Sequence, residues 1–391
     1  MTNWVTWAYN WYVQRWPWAN VGTQSWGHNL RQGFTWDNDC FLDDQLAHPY
    51  HGAMYHNSAR ASGYGFWSSF PFVAAGSAGW ELFGENIQAS LNDLITTTFG
   101  GMALGEVTYR LSGLLGSRSG GKRAGLGRQL GAFVTSPLAT THELLGGRGW
   151  EHDYAALPSV PVSFAIGRQA KHAFLELAVQ YGNPSGDSFA RPYDAFDFRM
   201  RVSPGSDTVV NHVGISGLLV RHQLSQSQRS GLFLGLFQHY DYDEVPGIKL
   251  SGHSVSGALL YQRRLGERSR LNLSAHAEGL LLGGISSDYG FYWRRDFDWG
   301  PGAGARLAAS FSRDELEWLR VEGRLLWLHS LHGSDGNHLT SSFRVGAAVP
   351  VAGPLGVGGD LSLTTRHSRY RDYAPVTKRV PQLSAFVMLV P

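Results

Sequence analysis

The sequence predicts a mainly β fold: an antiparallel transmembrane β-barrel of about twelve strands with an N-terminal α-helical insert or plug domain. Three observations predict it. Charged residues make up only 16% of the 391, while 49 Gly and 14 Trp stand well above ordinary usage. No stretch approaches the roughly 20 uninterrupted apolar residues of a spanning helix, and mean hydropathy is only −0.21. From about residue 160 onward the apolar period is two, so apolar and polar side chains alternate and cancel in the average.

The same numbers exclude several classes. A single Cys40 rules out an intramolecular disulfide framework or a zinc-thiolate site. Lys plus Arg at 33 against Asp plus Glu at 31 leaves +2, so no nucleic-acid partner is expected. The start "MTNWVTWAYNWYVQRW" lacks a cationic region followed by a continuous apolar core. If the protein is exported, its signal is expected outside this sequence, or the sequence is a mature form given an initiating Met1.

Taken in order, residues 1–115 read as a helical domain. Trp4, Trp7 and Trp11 fall on one helical stripe, packed either on protein or at a membrane interface. In "DDQLAHPYHGAMYHNSAR", residues 43 to 60, Pro49 stands at a first helical position after His48. "GFWSSFPFVAAGSAGWELFGEN" is apolar but interrupted by Pro71 and glycines. "SLNDLITTTFGGMALGEVTYRL" opens on Ser90 as an N-cap, with Asp93 in the capping-box position usually held by Glu or Gln. On that helix Thr97, Gly101, Gly105 and Thr108 leave a groove of small residues that permits close helix contact. Residues 116–159 follow as a basic, Gly-rich linker and first barrel-associated segment, with Arg118, Lys122, Arg123 and Arg128.

Residues 160–391 read as the barrel, in segments of roughly ten residues, the length a tilted strand needs to cross a bilayer. "AFDFRMRV" sets Phe196, Phe198, Met200 and Val202 against Asp197, Arg199 and Arg201. "LNLSAHAEGLLL" sets Leu271, Leu273, Ala275 and Ala277 against Asn272, Ser274, His276 and Glu278. "WLRVEGRLLWLH" sets Leu319, Val321, Leu325 and Trp327 against Arg320, Glu322 and Arg324. The polar face is rich in both signs, as expected of charges neutralising one another across a lumen. Aromatic clusters near segment ends, Phe237, Tyr240 and Tyr242 and then Tyr289, Phe291, Tyr292, Trp293, Phe297 and Trp299, are expected as interfacial girdles and outer loops.

Five stretches carry a resemblance: "FTWDNDCF" at 34–41, "HPYHGAMYHNSARASGYGFWSSFPF" at 48–72, "WELFGEN" at 80–86, "SLNDLITTTFGGMALGEVTYRLS" at 90–112 and "GAFVTSP" at 131–137. Together, over about residues 3–150, they resemble a bacterial family of unknown function whose members are predicted outer-membrane proteins with this helical block before a β-barrel. The resemblance implies a place in the outer membrane of a Gram-negative cell, and no activity. A shorter likeness, over "ELFGEN" and "SLNDLITTTFGGMALG", is to VanZ-like proteins, in which an acidic residue precedes an Asp-containing helix with spaced glycines.

Candidate chemistry gathers in the helical block. His48 and His51, three apart, lie on one side of a helix with Tyr55 four further on. With a carboxylate from Glu81, Glu85 or Asp93 they have the ligand types of a metal site, but the spacing is not HExxH and no metal ligands are assigned. The metal-free reading makes His48, His51, Glu85 and Asp93 the catalytic set. Asp43, Asp44 or Asp93 would then orient a histidine base toward Ser58, Ser90 or water. Tyr55, Arg60, Ser90 and Asn92 are the substrate-binding candidates. The structural alternative is that His48, His51, Asn57, Arg60, Glu85, Asn92 and Asp93 simply satisfy one another's buried polar groups. The function expected is handling of envelope lipid at the outer membrane, by modification or passage. A structural plug-and-barrel scaffold or a small-solute channel without chemistry is the alternative. Membrane lipids, and an envelope protein, are the expected partners. No cofactor is named by any motif.

Overall fold

A computed structural model describes residues 2–37, 39–117, 124–146, 162–185, 189–204, 209–289, 296–314 and 316–389. The chain divides into two units, a helical one within residues 1–157 and a barrel within residues 158–391.

The helical unit holds α1 (Thr2–Ala8), α2 (Thr23–Gln32), α3 (His48–Ala61), α4 (Phe66–Phe83), α5 (Leu91–Ile95), α6 (Gly101–Gly116), α7 (Leu126–Thr135) and α8 (Pro137–Leu144). Pro49 does not open a helix. Helical backbone begins at residue 41 and passes through a π-turn, Asp43–Ala47, before α3. Pro71 does not interrupt either, since α4 runs through it from Phe66 to Phe83, with one ladder bond fewer because proline has no N–H. The stretch expected as linker also differs. Its described part carries α7 and α8, and Arg128 Nη2 donates to the Leu114 carbonyl at 2.7 Å. Arg118, Lys122 and Arg123 lie outside the described residues.

The groove of small residues does hold a second helix, and that helix is α3. His48 meets Thr97, Gly52 meets Gly101 and His56 meets Gly105, so two parallel helices interlock at four-residue steps. A Cβ on Gly52 would stand 1.8 Å from the Thr97 carbonyl oxygen, and one on Gly101 would stand 2.4 Å from the Gly52 Cα. Glycine is therefore required on both sides of this crossing.

The barrel has twelve strands among the described residues: β1 (Val162–Gln169), β2 (His172–Tyr181), β3 (Phe196–Val202), β4 (Val210–Gln226), β5 (Ser230–Val245), β6 (Ile248–Arg264), β7 (Ser269–Ser286), β8 (Phe297–Arg313), β9 (Leu316–His329), β10 (Gly336–Ala352), β11 (Leu355–Tyr370) and β12 (Val376–Leu389). All neighbours are antiparallel, and β1 pairs with β12 from Phe164↔Leu389 to Gln169↔Ser384, which closes the sheet. β4 to β12 run 14 to 18 residues, longer than the expected ten.

Strand parity separates the two faces. Leu273, Leu281, Leu307, Leu325 and Trp327 are all more than 40% exposed on the outward face. On the inward face Arg306 donates to Asp241 and Glu278, and Arg324 joins Glu278 at 2.5 Å. Arg201 bridges Glu176 at 2.7 Å and Asp360 at 3.0 Å, where Arg344 also binds. Apolar clusters such as Phe233, Phe237, Ala258 and Leu260, or Leu250, Leu280, Leu326 and Leu328, share the lumen with this ionic belt. A cavity of ≈ 430 Å³ remains among the lumen side chains. The aromatics expected at segment ends divide between the two faces. Phe237, Tyr240, Tyr242, Phe297 and Trp299 are buried; Phe237 packs into a lumen cluster, whereas Tyr240, of opposite parity on β5, stacks on its cross-strand partner His253. Phe291, Tyr292 and Trp293 lie outside the described residues.

Candidate functional site

Three polar networks occupy the interior of the helical unit, and the predicted site residues are divided among them. The first forms where the 35–37 segment lies beside 89–91. The Thr35 N–H donates to the Ala89 carbonyl at 2.9 Å and the Leu91 N–H to the Thr35 carbonyl at 2.7 Å, which delivers Asp37 to the start of α5. Ser90 is the N-cap expected, accepting the Asp93 N–H at 3.2 Å. The reciprocal half of the cap comes from a residue other than Asp93. Glu81 Oε2, from α4, accepts the Ser90 N–H at 2.8 Å, which leaves the Asp93 carboxylate free to turn into the cluster.

At its centre is Asn92. Its Oδ1 accepts from the Asp37 N–H and the Ser90 hydroxyl, so the amide orientation is fixed, and its Nδ2 faces Asp37 at 2.7 Å, Asp93 at 3.2 Å and Asp44 at 3.4 Å. His48 Nε2 stands 3.5 Å from Asp93 Oδ1 while its Nδ1 contacts Thr97 Oγ1 at 3.2 Å. One ligand-type atom from each of Asp39, Asp44, His48 and Asp93 lies within 4.8 Å of all the others. Asp44 and Asp93 are buried, His48 is half-buried and Asp39 is exposed, so the cluster opens to one side. Two π-turns flank it, Asp43–Ala47 before His48 and Thr96–Gly100 after Asp93. Such turns insert one residue and rotate the following helix face.

The electrostatics of this cluster follow from like charges in a dry place. Burial, then the carboxylates of Asp37 and Asp44, push Asp93 well above the ordinary carboxylate range, and Asp37 also lies within hydrogen-bonding reach of it. Asp39 sits at the exposed rim with its carboxyl turned into the cluster, and there the local loss of water and the charges of Asp37 and Asp43 raise it to about 7. Burial holds His48 below the ordinary histidine value against the pull of Asp37 and Asp43, and so keeps it neutral.

The second network takes His51 away from His48. His51 Nε2 contacts the Tyr55 hydroxyl at 2.9 Å, Tyr55 also donates to Asn3 Oδ1, and the His51 ring packs edge-on against Trp80 at 4.8 Å. Burial and the neighbouring His48 push His51 down to about 3. Glu85 accepts the Trp80 indole N–H at 2.7 Å, and burial raises it to about 8. The third network takes Arg60. Arg60 Nε and Arg110 Nε each donate to Glu106 at 2.8 Å, and His56 Nε2 lies 2.9 Å from the same carboxylate. Burial alone would raise Glu106, but Arg110, Arg60 and His56 outweigh it and hold the group well below the ordinary range.

Of the predicted site residues, then, His48, Asp93, Asn92 and Ser90 come together, while His51 with Tyr55, Glu85 and Arg60 stand in other surroundings. Among the described residues neither candidate hydroxyl meets a histidine. Ser58 Oγ donates to the Met54 carbonyl of its own helix, and Ser90 is engaged in the cap. Neither serine is therefore paired with a histidine base, and the metal-free reading keeps water as its nucleophile. Sequence reasoning did not assign Asp37 or Asp39 to the site, nor Glu106 to any network, and held Asp44 only as one of the acids that could orient a histidine. The signal for the first two was the Asp-x-Asp of "WDND", within a stretch quoted only for its family likeness.

Residues 33–138 match the family described as "Domain of unknown function (DUF3943)", inside the span of the resemblance read from the sequence. No curated protein matches the chain. Among solved structures the chain is similar to the NanC porin, at 6% identity over 60% of this chain and 100% of that one, with a TM-score of 0.30. An outer membrane channel from Pseudomonas putida F1 matches at 14% identity over 61% and 98%, with a TM-score of 0.29. The outer membrane enzyme PagL matches at 13% identity over 59% and 98%, with a TM-score of 0.20. The barrel itself is established by its own closed ladder of strands.

Proposed function

We infer that this is an outer-membrane protein that handles envelope lipid, with the barrel as its membrane body and the helical unit as its working part. The observation that carries the reading is an apolar exterior over polar networks in both units. The barrel turns Leu, Val and Phe outward and arginine–carboxylate pairs inward. The helical unit likewise buries His56, Glu106, Arg110, Asn92 and Asp93 while Trp4, Tyr12, Val13, Trp67, Leu126, Val134 and Leu145 are 56% to 84% exposed. Each large apolar side chain left in water forgoes about 1.5–3 kcal/mol of burial. Apolar exposure on this scale supports a lipid surroundings for the barrel wall and an interfacial one for the helical unit. No helix among the described residues is long and apolar enough to cross a membrane, so any crossing falls to the strands.

A cluster of carboxylates and a histidine, open on one side of a unit with an apolar exterior, suits a polar lipid headgroup presented from the interface. Proteoliposomes test both halves. Brominated acyl chains are expected to quench the tryptophans of residues 4–18 and Trp67, and mass spectrometry of an added envelope-lipid extract is expected to show retained or altered lipid with wild type and not with His48→Ala/Asp93→Asn. Efficient quenching with lipid behaviour identical in wild type and variant would keep the membrane assignment and overturn lipid handling. Absence of quenching would overturn the interfacial placement.

A further inference from the structure

We propose that Asp39, Asp44, His48 and Asp93 form a binding site for one divalent transition-metal cation of the manganese–iron–zinc class. The inference stands apart from the lipid reading, since it rests on the donor set alone. Donors on opposite sides of an ion with bonds of about 2.1–2.2 Å stand about 4.3 Å apart. Adjacent donors stand about 3.0–3.5 Å apart, and the four donors here all lie within 4.8 Å of one another, so side-chain rotations that move them by about an ångström close them on an ion.

Three features outside the donor atoms support it. The first is the histidine. The contact of Nδ1 with Thr97 Oγ1 turns Nε2 toward Asp93; with the proton on Nδ1, Nε2 offers its lone pair to an ion, and an outer hydrogen bond of this kind is the usual support of a ligating imidazole. The second is Asn92, an uncharged amide that holds Asp37, Asp44 and Asp93 around one point and positions the carboxylates without neutralising them. The third is access. Asp44 and Asp93 are buried at the base and Asp39 is exposed at the rim, giving an ion a way in. Carboxylates packed among carboxylates must share protons or take up a cation. One imidazole with three carboxylates favours a first-row transition ion over calcium or magnesium, which prefer oxygen throughout.

The test uses the full chain in detergent, stripped with a chelator and titrated with Mn²⁺, followed by loss of the free-ion EPR signal, and with Zn²⁺ by calorimetry. One ion per chain is expected. Asp39→Asn, at the exposed rim, and Thr97→Val, which removes only the outer hydrogen bond, should each weaken binding by about tenfold or more in a chelator-stripped chain that still melts cooperatively. Asp335→Asn, a surface carboxylate paired with Arg371, should bind as wild type. No uptake of either ion at millimolar concentration, or uptake that Asp39→Asn and Thr97→Val leave unaltered, overturns the proposal and leaves the cluster as carboxyls neutralised by protons. Lipid takes no part in this measurement, so its outcome is independent of the lipid assay.

Discussion

The two units bury their acids in different company. In the barrel, lumen carboxylates such as Glu278, with Arg306 and Arg324, and Asp360, with Arg201 and Arg344, have guanidinium partners. In the helical unit Glu106 follows the same rule with Arg60 and Arg110. At the α3–α5 corner the rule is broken, for the charges acting on Asp93 are those of Asp37, Asp44 and Glu81. Paired acids are what a fold needs to place charge indoors. Like-charged acids at close range oppose folding, and where they persist they mark a place that awaits a proton, a cation or a substrate.

The largest effect expected from this contrast is at Glu106. Replacing it with Gln leaves two guanidiniums in the interior without their carboxylate, a change expected to cost about 3–5 kcal/mol. Limited proteolysis and thermal melting of the helical unit should report it. The pH dependence has a definite sign. Because the folded chain holds Glu106 below its ordinary value of 4.5, its stabilising share is present above about pH 4.5 and is lost as pH falls toward the folded value. A loss under about 1 kcal/mol would remove the distinction between paired and unpaired acids drawn above.

The next effect concerns the barrel's outer face. Leu307 is 63% exposed on β8, and Leu307→Arg is expected to destabilise a bilayer-embedded barrel by about 2–4 kcal/mol if the site lies near the midplane. A water-facing residue there would tolerate arginine within about 0.5 kcal/mol. Folding titrations into lipid vesicles separate the two, and a near-neutral result would break the parallel between the polarity of the two units.

The barrel was legible because period-two alternation survives translation into structure directly: Arg320, Glu322 and Arg324 share the lumen face and Leu325 and Trp327 the outer one. The groove of Thr97, Gly101, Gly105 and Thr108 was legible too, since small residues at four-residue steps have few other uses. What could not be read was which histidine faces which acid. His48 and His51 are three apart and share a helix side, yet one meets Asp93 and the other Tyr55, because α4 inserts Trp80 against His51 while the π-turn ahead of His48 brings Asp44 to the His48 cluster. These depend on contacts between residues about 30 to 55 apart in sequence. Aromatic clusters misled for a related reason. Phe237 and Tyr240 look like one interfacial girdle in the sequence, but three residues apart on a strand they face opposite ways, Phe237 into a lumen cluster and Tyr240 against His253.

The smallest effect sharpens the comparison within the unit itself. Glu85 has no cation acting on it: burial raises it to about 8, the Trp80 indole N–H opposes that, and Asp39 and Asp37 add to it. Between its ordinary 4.5 and about 8 the unfolded chain has released a proton that the folded chain still holds. Stability contributed by this group is therefore full below about pH 4.5 and falls as pH rises through that window. Glu85→Gln can still accept the Trp80 N–H but carries no proton to lose. In the presence of a chelator the variant should match wild type near pH 4 and be the more stable of the two near pH 8, in melts of the detergent-solubilised chain. A difference between variant and wild type that is the same at both pH values would mean that Glu85 is ionised inside the fold, and that the acids of this corner are better compensated than their neighbours imply.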